Sequence, residues 1–305
     1  MNLSSPPQRF RARILENRPL GGNLHGLVLD AAAIAGLVQP GHFVQLDCHS
    51  SLTLLRPFSI MDADAEKGTV EILYQVVGVG TKFMQQWQTG QEAWVFGPLG
   101  SCFTATRKVH GALLVAGGVG LAPLRFLARR LQNLGVAVTI LWGLEAEVVP
   151  FATVSAILPQ PGEQIENPLA LAWEESHGIV TRLASIKKRQ GFYHGLVSEL
   201  LEQILGGIGG SLPHLYVCGP TAMMVAVADV AKKWDLKGEV SLEGHMACGF
   251  GGCAGCAVPV YQGEGWHYVR SCTEGPVLPL DQVLWQTPGI KADGCNTKGG
   301  KGSCL

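Results

Sequence analysis

Charged side chains are scarce in this chain of 305 residues: Asp, Glu, Lys and Arg together make up 15%, against about 25% in an ordinary soluble domain. The two signs nearly cancel, leaving a formal net charge of −1. That balance offers no electrostatic footprint for nucleic acid or for an anionic membrane. The one basic run, Lys187-Lys188-Arg189, is short and reads as a solvated face. The longest stretch without a charge, residues 203–228, is broken by Gly206, Gly207, Gly209, Gly210, Pro213, Gly219 and Pro220, which excludes a single membrane-spanning helix. The opening string MNLSSPPQRFRAR has no apolar core of the signal-peptide type. A soluble, cytoplasmic protein is expected. In that compartment nine cysteines are not a disulfide framework, and clustered ones point to metal binding or catalysis.

Glycine is in surplus, with 40 of 305 residues, nearly twice the roughly 7% average. An apolar content of 47% excludes general disorder, so the glycines must serve local purposes. Up to about residue 105 the chain shows short extended runs, for example 9–15, 24–29, 42–48, 69–77 and 93–96, with one helical stretch at 81–88. Regularly spaced short strands predict an antiparallel barrel or sandwich. Near residue 110 the texture changes to a buried strand (112–116), a glycine turn (117–120), an amphipathic helix (121–134) and a second strand (136–142). This is the start of a parallel α/β sheet, expected to occupy residues 106–240. Helices at 196–205 and 221–234 and strands at 215–218 and 239–242 continue it, the last strand closing the domain. Residues 150–177, interrupted by proline, have no clear assignment. A Cys/Gly-rich module is expected over 241–286, followed by a flexible tail over 287–305.

The strongest chemical signal is Cys248-x4-Cys253-x2-Cys256-x15-Cys272, in CGFGGCAGC and the later RSCTEGP. Three thiolates on one tight loop with a fourth returning from a distance is the plant-type [2Fe–2S] spacing. Glycines between the cysteines let the backbone curl so that its amides reach the sulfurs. A four-cysteine zinc site is the other chemistry open to this set, although such sites more often show two C-x2–4-C knuckles. Cys48, Cys102, Cys218, Cys295 and Cys304 are scattered and read as ordinary thiols.

Two further strings point to nucleotides. GGVGLAP, from Gly117 to Pro123, joins a strand to a helix, where glycines and the helix N-terminus suit a phosphate. It is G-x-G-x-x-P, however, and departs from the Rossmann G-x-G-x-x-G. YVCGPTAMM ends a later strand, where open α/β sheets bind ligands. With RPFS at Arg56–Ser59, LYQ at Leu73–Gln75 and the Gly80-Thr81 pair, the order of motifs resembles the ferredoxin–NADP reductase superfamily. Adding MACGFGGCAGC, residues 8–284 resemble the electron transfer subunits of NAD-linked dihydroorotate dehydrogenase.

That resemblance implies a multidomain β plus α/β fold: an antiparallel flavin-binding β-barrel, a parallel-sheet nicotinamide-binding domain and a small C-terminal [2Fe–2S] module. It implies FAD, NAD and a [2Fe–2S] cluster as cofactors. Arg56 would pair with the FAD pyrophosphate, Pro57 and Phe58 would shape the flavin pocket, and Ser59 would face the reactive edge of the ring. Leu73, Tyr74 and Gln75 would line the flavin, while Gly80 and Thr81 would meet its pyrophosphate. Gly117, Gly118 and Gly120 would approach NAD, with Cys218, Gly219 and Pro220 near the nicotinamide. Cys248, Cys253, Cys256 and Cys272 would hold the cluster. Glu145 or Glu147, after the second strand of the α/β domain, would sit near the adenosine ribose and favour NAD over NADP. No catalytic group beyond the cofactors is expected on this chain; an FMN-containing catalytic subunit would be its partner in a heterotetramer. A reductase component serving an oxygenase, a sulfur-metabolising enzyme or a bifurcating complex is the alternative.

Overall fold

The computed structural model describes residues 6–159, 163–242 and 244–285. The expected tail, with Cys295 and Cys304, lies outside them. Six strands form the first unit: β1 (Gln8–Gly21), β2 (Leu24–Asp30), β3 (Phe43–Leu46), β4 (Arg56–Asp64), β5 (Thr69–Gln75) and β6 (Glu92–Leu99). They close as an antiparallel barrel in the order β1-β2-β5-β4-β3-β6, with β6 paired back onto β1. Alternate residues such as Ala12, Ile14, Leu27, Leu29, Val70 and Ile72 point inward and form its core, as the period of two along a strand requires. Short helices α1 (Ala32–Ala35) and α2 (Val79–Met84) occupy connections. Helix α2 starts two residues before the expected position because the Thr81 hydroxyl accepts the N–H groups of Val77 and Gly78 and closes the first turn. Strand β1 runs six residues past its expected end, since its polar continuation is held by backbone pairing with β2 and buries little.

The second unit holds β7 (Ala112–Gly117), α3 (Leu121–Asn133), β8 (Val138–Gly143), β9 (Ala152–Val154), β10 (Leu169–Leu171), α4 (Ala172–Ser176), β11 (Val180–Ser185), β12 (Tyr193–His194), α5 (Val197–Gly207), β13 (His214–Cys218), α6 (Thr221–Lys233) and β14 (Gly238–Ser241). Then come the hairpin β15 (Ala257–Gln262) and β16 (Gly265–Arg270), and β17 (Val277–Pro279). The main sheet has the order β12-β11-β8-β7-β13-β14-β17, parallel except for β17. Both faces are covered: Leu114 and Ala116 pack toward α3, whereas Leu113 and Val115 pack toward α5 and α6.

Strand β14 does not close the sheet. β17, supplied from beyond the cysteine loop, pairs antiparallel to it, and three residues carry no periodicity that a sequence could display. The unassigned segment folds as the two-stranded β9–β10 sheet with α4. Between β7 and β13 the chain reverses its direction of travel across the sheet. The carboxyl ends of these two strands therefore flank a crevice of the kind in which open α/β sheets bind ligands. Among the described residues, no helix is long and apolar enough to cross a membrane.

Candidate functional site

Two cavities and a cysteine loop adjoin where the units meet. The first cavity, about 640 Å³, is lined by Arg56, Pro57, Phe58, Ser59, Leu73, Tyr74, Gln75, Gly80 and Thr81. All nine residues expected around a flavin are thus brought together, because β4 and β5 are neighbours in the barrel and α2 follows β5 directly. Arg56 Nη1 donates to the carbonyls of Leu54 and Leu55 at 2.9 and 3.3 Å, which fixes the guanidinium at the rim. Tyr74 donates its hydroxyl to Asn17 Oδ1 at 2.9 Å, and burial pushes its phenol up to about 12. Phe58 meets the Tyr74 ring edge-on. The far wall comes from Val119 and Met246, inside the GGVGLAP and MACGFGGCAGC strings that do not themselves point to this cavity, and from Ser241, Leu242, His245 and Pro276, which carry no signal in the sequence. They arrive from the sheet and from the segment leading to the cysteines, so only the tertiary fold identifies them.

The second cavity, about 510 Å³, is lined by Gly117, Gly118, Pro220, Glu145 and Gln75 among others. Cys218 pairs in register with Ala116, which brings the two strings together across 100 residues of sequence. Gly118 has φ +52° and open space where a Cβ would stand, so this turn is left-handed and accessible. A Cβ on Gly120 would lie 2.3 Å from the Cys218 carbonyl oxygen. Gly120, Cys218 and Gly219 are therefore supports beneath the cavity and are not among its lining residues. Glu145 accepts from Ser185 Oγ at 3.1 Å and from the Ile186 amide at 2.9 Å. Glu147 is not a lining residue; Arg189 holds its carbonyl oxygen.

The four cysteines fall into two pairs. Cys248 is in side-chain hydrogen-bond contact with Cys253, and Cys272 with Cys256. Cys253 is exposed, whereas Cys256 and Cys272 are buried beside Phe43 and Leu99 of the barrel. Burial opposes ionisation of Cys248, yet amides of Phe250, Cys253 and Gly252, with the Cys253 side chain, bring its thiol down to about 6. The Gly252 N–H lies 3.2 Å from Cys248 Sγ and the Gly255 N–H 3.5 Å from Cys253 Sγ. Burial, then Cys256, push the Cys272 thiol up to about 12. Four thiols in one loop region, with backbone amides aimed at Cys248 and Cys253, fit a thiolate-ligated cluster, and two pairs suit a two-iron unit. No group of three or more His, Cys, Asp or Glu among the described residues is gathered as a single metal ion would need. Cys48 and Cys102 lie outside the loop, with burial raising them to about 12 and about 11.

Residues 243–284 match the family model described as the iron-sulfur cluster binding domain of dihydroorotate dehydrogenase B. Over 279 residues the chain is 33% identical to the dihydroorotate dehydrogenase B (NAD(+)) electron transfer subunit of Desulforamulus reducens, covering 91% of this chain and 98% of that one. The subunit of the same name from Caldanaerobacter subterraneus subsp. tengcongensis is 30% identical over 277 residues, covering 91% and 99%. The fold is shared with a chain in the structure of the NADH-dependent reduced ferredoxin-NADP oxidoreductase (TM-score 0.72, 22% identity, 90% of each chain). It is shared also with the ferredoxin reductase of carbazole 1,9a-dioxygenase (TM-score 0.58, 16% identity, 76% of this chain and 68% of that one). With the likeness to the two subunits running through barrel, sheet and cysteine loop alike, the chain belongs to the family of dihydroorotate dehydrogenase B electron transfer subunits.

Proposed function

We propose that this chain is the electron transfer subunit of an NAD-linked dihydroorotate dehydrogenase, taking electrons from the FMN of a catalytic partner and delivering them to NAD. The observation that carries this reading is a pair of shared walls. Gln75 lines both cavities, and Phe43 and Met246 belong at once to the first cavity and to the core around Cys256 and Cys272. When bound, FAD joins the two-electron hydride chemistry of NAD to the one-electron chemistry of a [2Fe–2S] cluster.

The chain itself binds, orients and excludes water. Arg56 pairs with the FAD pyrophosphate, as a guanidinium fork suits phosphate, and Gly80 and Thr81 meet the same group. Pro57, Phe58, Ser59, Leu73 and Tyr74 wall the flavin ring, and Gln75 sits between it and the nicotinamide. Gly117, Gly118 and Pro220 receive NAD over the support of Gly120, Cys218 and Gly219. Cys248, Cys253, Cys256 and Cys272 would hold the cluster, which would supply one-electron transfer. Phe43 and Met246 keep the interval between flavin and cysteines dry. Exposed Phe250 and Cys253 turn the loop's outer edge toward the partner. The dihydroorotate site and FMN belong to that partner, with two copies of each subunit in a cytoplasmic heterotetramer. The domain limits follow the same division, with FAD over 1–105, NAD over 106–240 and the cluster over 241–286.

The decisive experiment is anaerobic mixing of the full chain, loaded with FAD, iron and sulfide, with purified FMN-containing catalytic subunit. Dihydroorotate should drive NADH formation only when both proteins are present. Fully loaded proteins that form no NADH would exclude this partner.

A further inference from the structure

Gln45 is a polar side chain in an unexpected place. It lies on β3, paired in register with Pro57 of β4 and Phe96 of β6, and it is fully buried. Its carboxamide leaves the barrel and meets the cysteine loop about 200 residues away in sequence. Nε2 donates to the carbonyl oxygen of Ala247, the residue before Cys248, at 3.4 Å. On the other side of Cys248, Gly249 has φ +76°, and a Cβ there would stand 2.6 Å from Gln45 Oε1 and 2.7 Å from Cδ. The amide is therefore packed flat against the Gly249 backbone. Both neighbours of Cys248 touch one side chain.

Packing alone does not account for an amide here. Oε1 is buried without a hydrogen-bond partner, which costs about 1–3 kcal/mol and which a methionine of similar length would avoid. The polar group instead keeps an N–H on the Ala247 carbonyl, while Oε1 and Cδ pack against the Gly249 backbone. Loss of a group that orients metal ligands typically costs about 10–100-fold in metal affinity or activity.

We propose that Gln45 is a positioning residue for the iron–sulfur site: from the barrel, its carboxamide donates to the Ala247 carbonyl and packs against the Gly249 backbone, and so fixes how Cys248 between them meets the cluster. The proposal rests on the reading of the four cysteines as cluster ligands. It joins the flavin barrel to the ligand loop, because Pro57, the register partner of Gln45, lines the flavin cavity.

The test uses the full chain, with the variants Gln45→Met, which keeps length but no hydrogen bond, and Gln45→Leu, which removes the amide and roughly keeps its volume. Iron, sulfide and FAD content, iron release to a chelator and the EPR spectrum of the dithionite-reduced protein are compared with wild type. Both variants should retain FAD, release iron roughly 10-fold faster and show altered or broadened g-values. Wild-type release and an unchanged spectrum in both variants would overturn the proposal, as would joint loss of FAD and iron, which marks a merely structural role. A second arm adds Gly249→Ala to wild type and to Gln45→Ala. Its effect on iron release should be smaller in the Gln45→Ala background, where the close approach is gone; equal effects in the two backgrounds would refute the contact. Wild-type protein that binds no iron or sulfide would overturn the ligand reading and this proposal together, whereas a loaded wild type with indifferent variants overturns the proposal alone.

Discussion

Glu145, two residues past the end of β8, has its carboxylate held by Ser185 and Ile186 at the edge of the second cavity. A fixed negative charge there repels a 2′-phosphate by an amount on the order of 1 kcal/mol. Glu145→Gln should therefore narrow the preference for NADH over NADPH by roughly tenfold or less, read as the ratio of KM values in reduction of an artificial dye; an unchanged ratio would remove Glu145 from specificity. His42 yields a pH prediction. Its Nδ1 accepts the Gln39 N–H, its Nε2 lies 3.0 Å from Cys102 Sγ, and burial holds its pKa down to about 4. In the unfolded chain the same imidazole takes a proton near 6.5. Between those two values the unfolded state binds more protons, so stability falls as pH falls, by about 3 kcal/mol in all. His25 and His214, also lowered by burial, act in the same direction, whereas the raised carboxyls of Asp62 and Glu71 oppose it. Urea unfolding at pH 7 and pH 5 should show a smaller difference for His42→Asn, which keeps an acceptor for Gln39, than for wild type.

Helix α3 shows what a periodic pattern discloses and what it hides. Leu121, Leu124, Leu127, Ala128 and Leu131 are buried on one stripe, which is why the helix is legible between two strands. Arg125 lies on the same buried side, where a charge demands a partner. The partner is Glu174 of α4, at 2.6 Å and itself fully buried, from a stretch that no local pattern assigns. Arg129, one turn along, pairs with Asp62 of β4 and lies over the Trp173 ring. One face of α3 thus ties β4, the strand that carries Arg56 and Ser59, to α4. Glu174→Ala leaves Arg125 buried without its counter-charge and should lower stability by about 3–5 kcal/mol, measured by denaturant midpoint. Glu174→Gln, which keeps the acceptor oxygen, should lower it less. A loss below 1 kcal/mol for the alanine variant would show that the pair does not anchor the α4 segment.

At the scale of the whole molecule, the segment after Cys272 binds the units together. Ser101, in the passage from barrel to sheet, donates its N–H to Gly275 and exchanges hydrogen bonds with Val277, which begins β17 on the main sheet. Cys272 itself packs beside Phe43, a wall of the first cavity. Cys272→Ala should abolish the cluster yet leave FAD bound and NADH-to-dye turnover largely intact, because the nine expected residues that line the first cavity come from β4, β5 and α2. Absorbance, iron analysis and dye reduction check this, and simultaneous loss of FAD would show that the two sites are not separable. The cysteine spacing, the glycine turn, the RPFS and CGP strings and the β7–α3–β8 rhythm are all local, and each was readable because period and spacing act over a few residues. From the spacing came the iron–sulfur reading and from the rhythm the two kinds of sheet, while FAD and NAD followed from the family resemblance that these strings carry together. Only the tertiary structure decided that Gln75 joins two cavities, that Phe43 and Met246 join flavin wall to cysteine core, that Gln45 reaches Ala247, and that Glu174 neutralises Arg125. These are contacts between elements distant along the chain, made by one or a few side chains each, and burial in a common core creates them without leaving a pattern in any single segment.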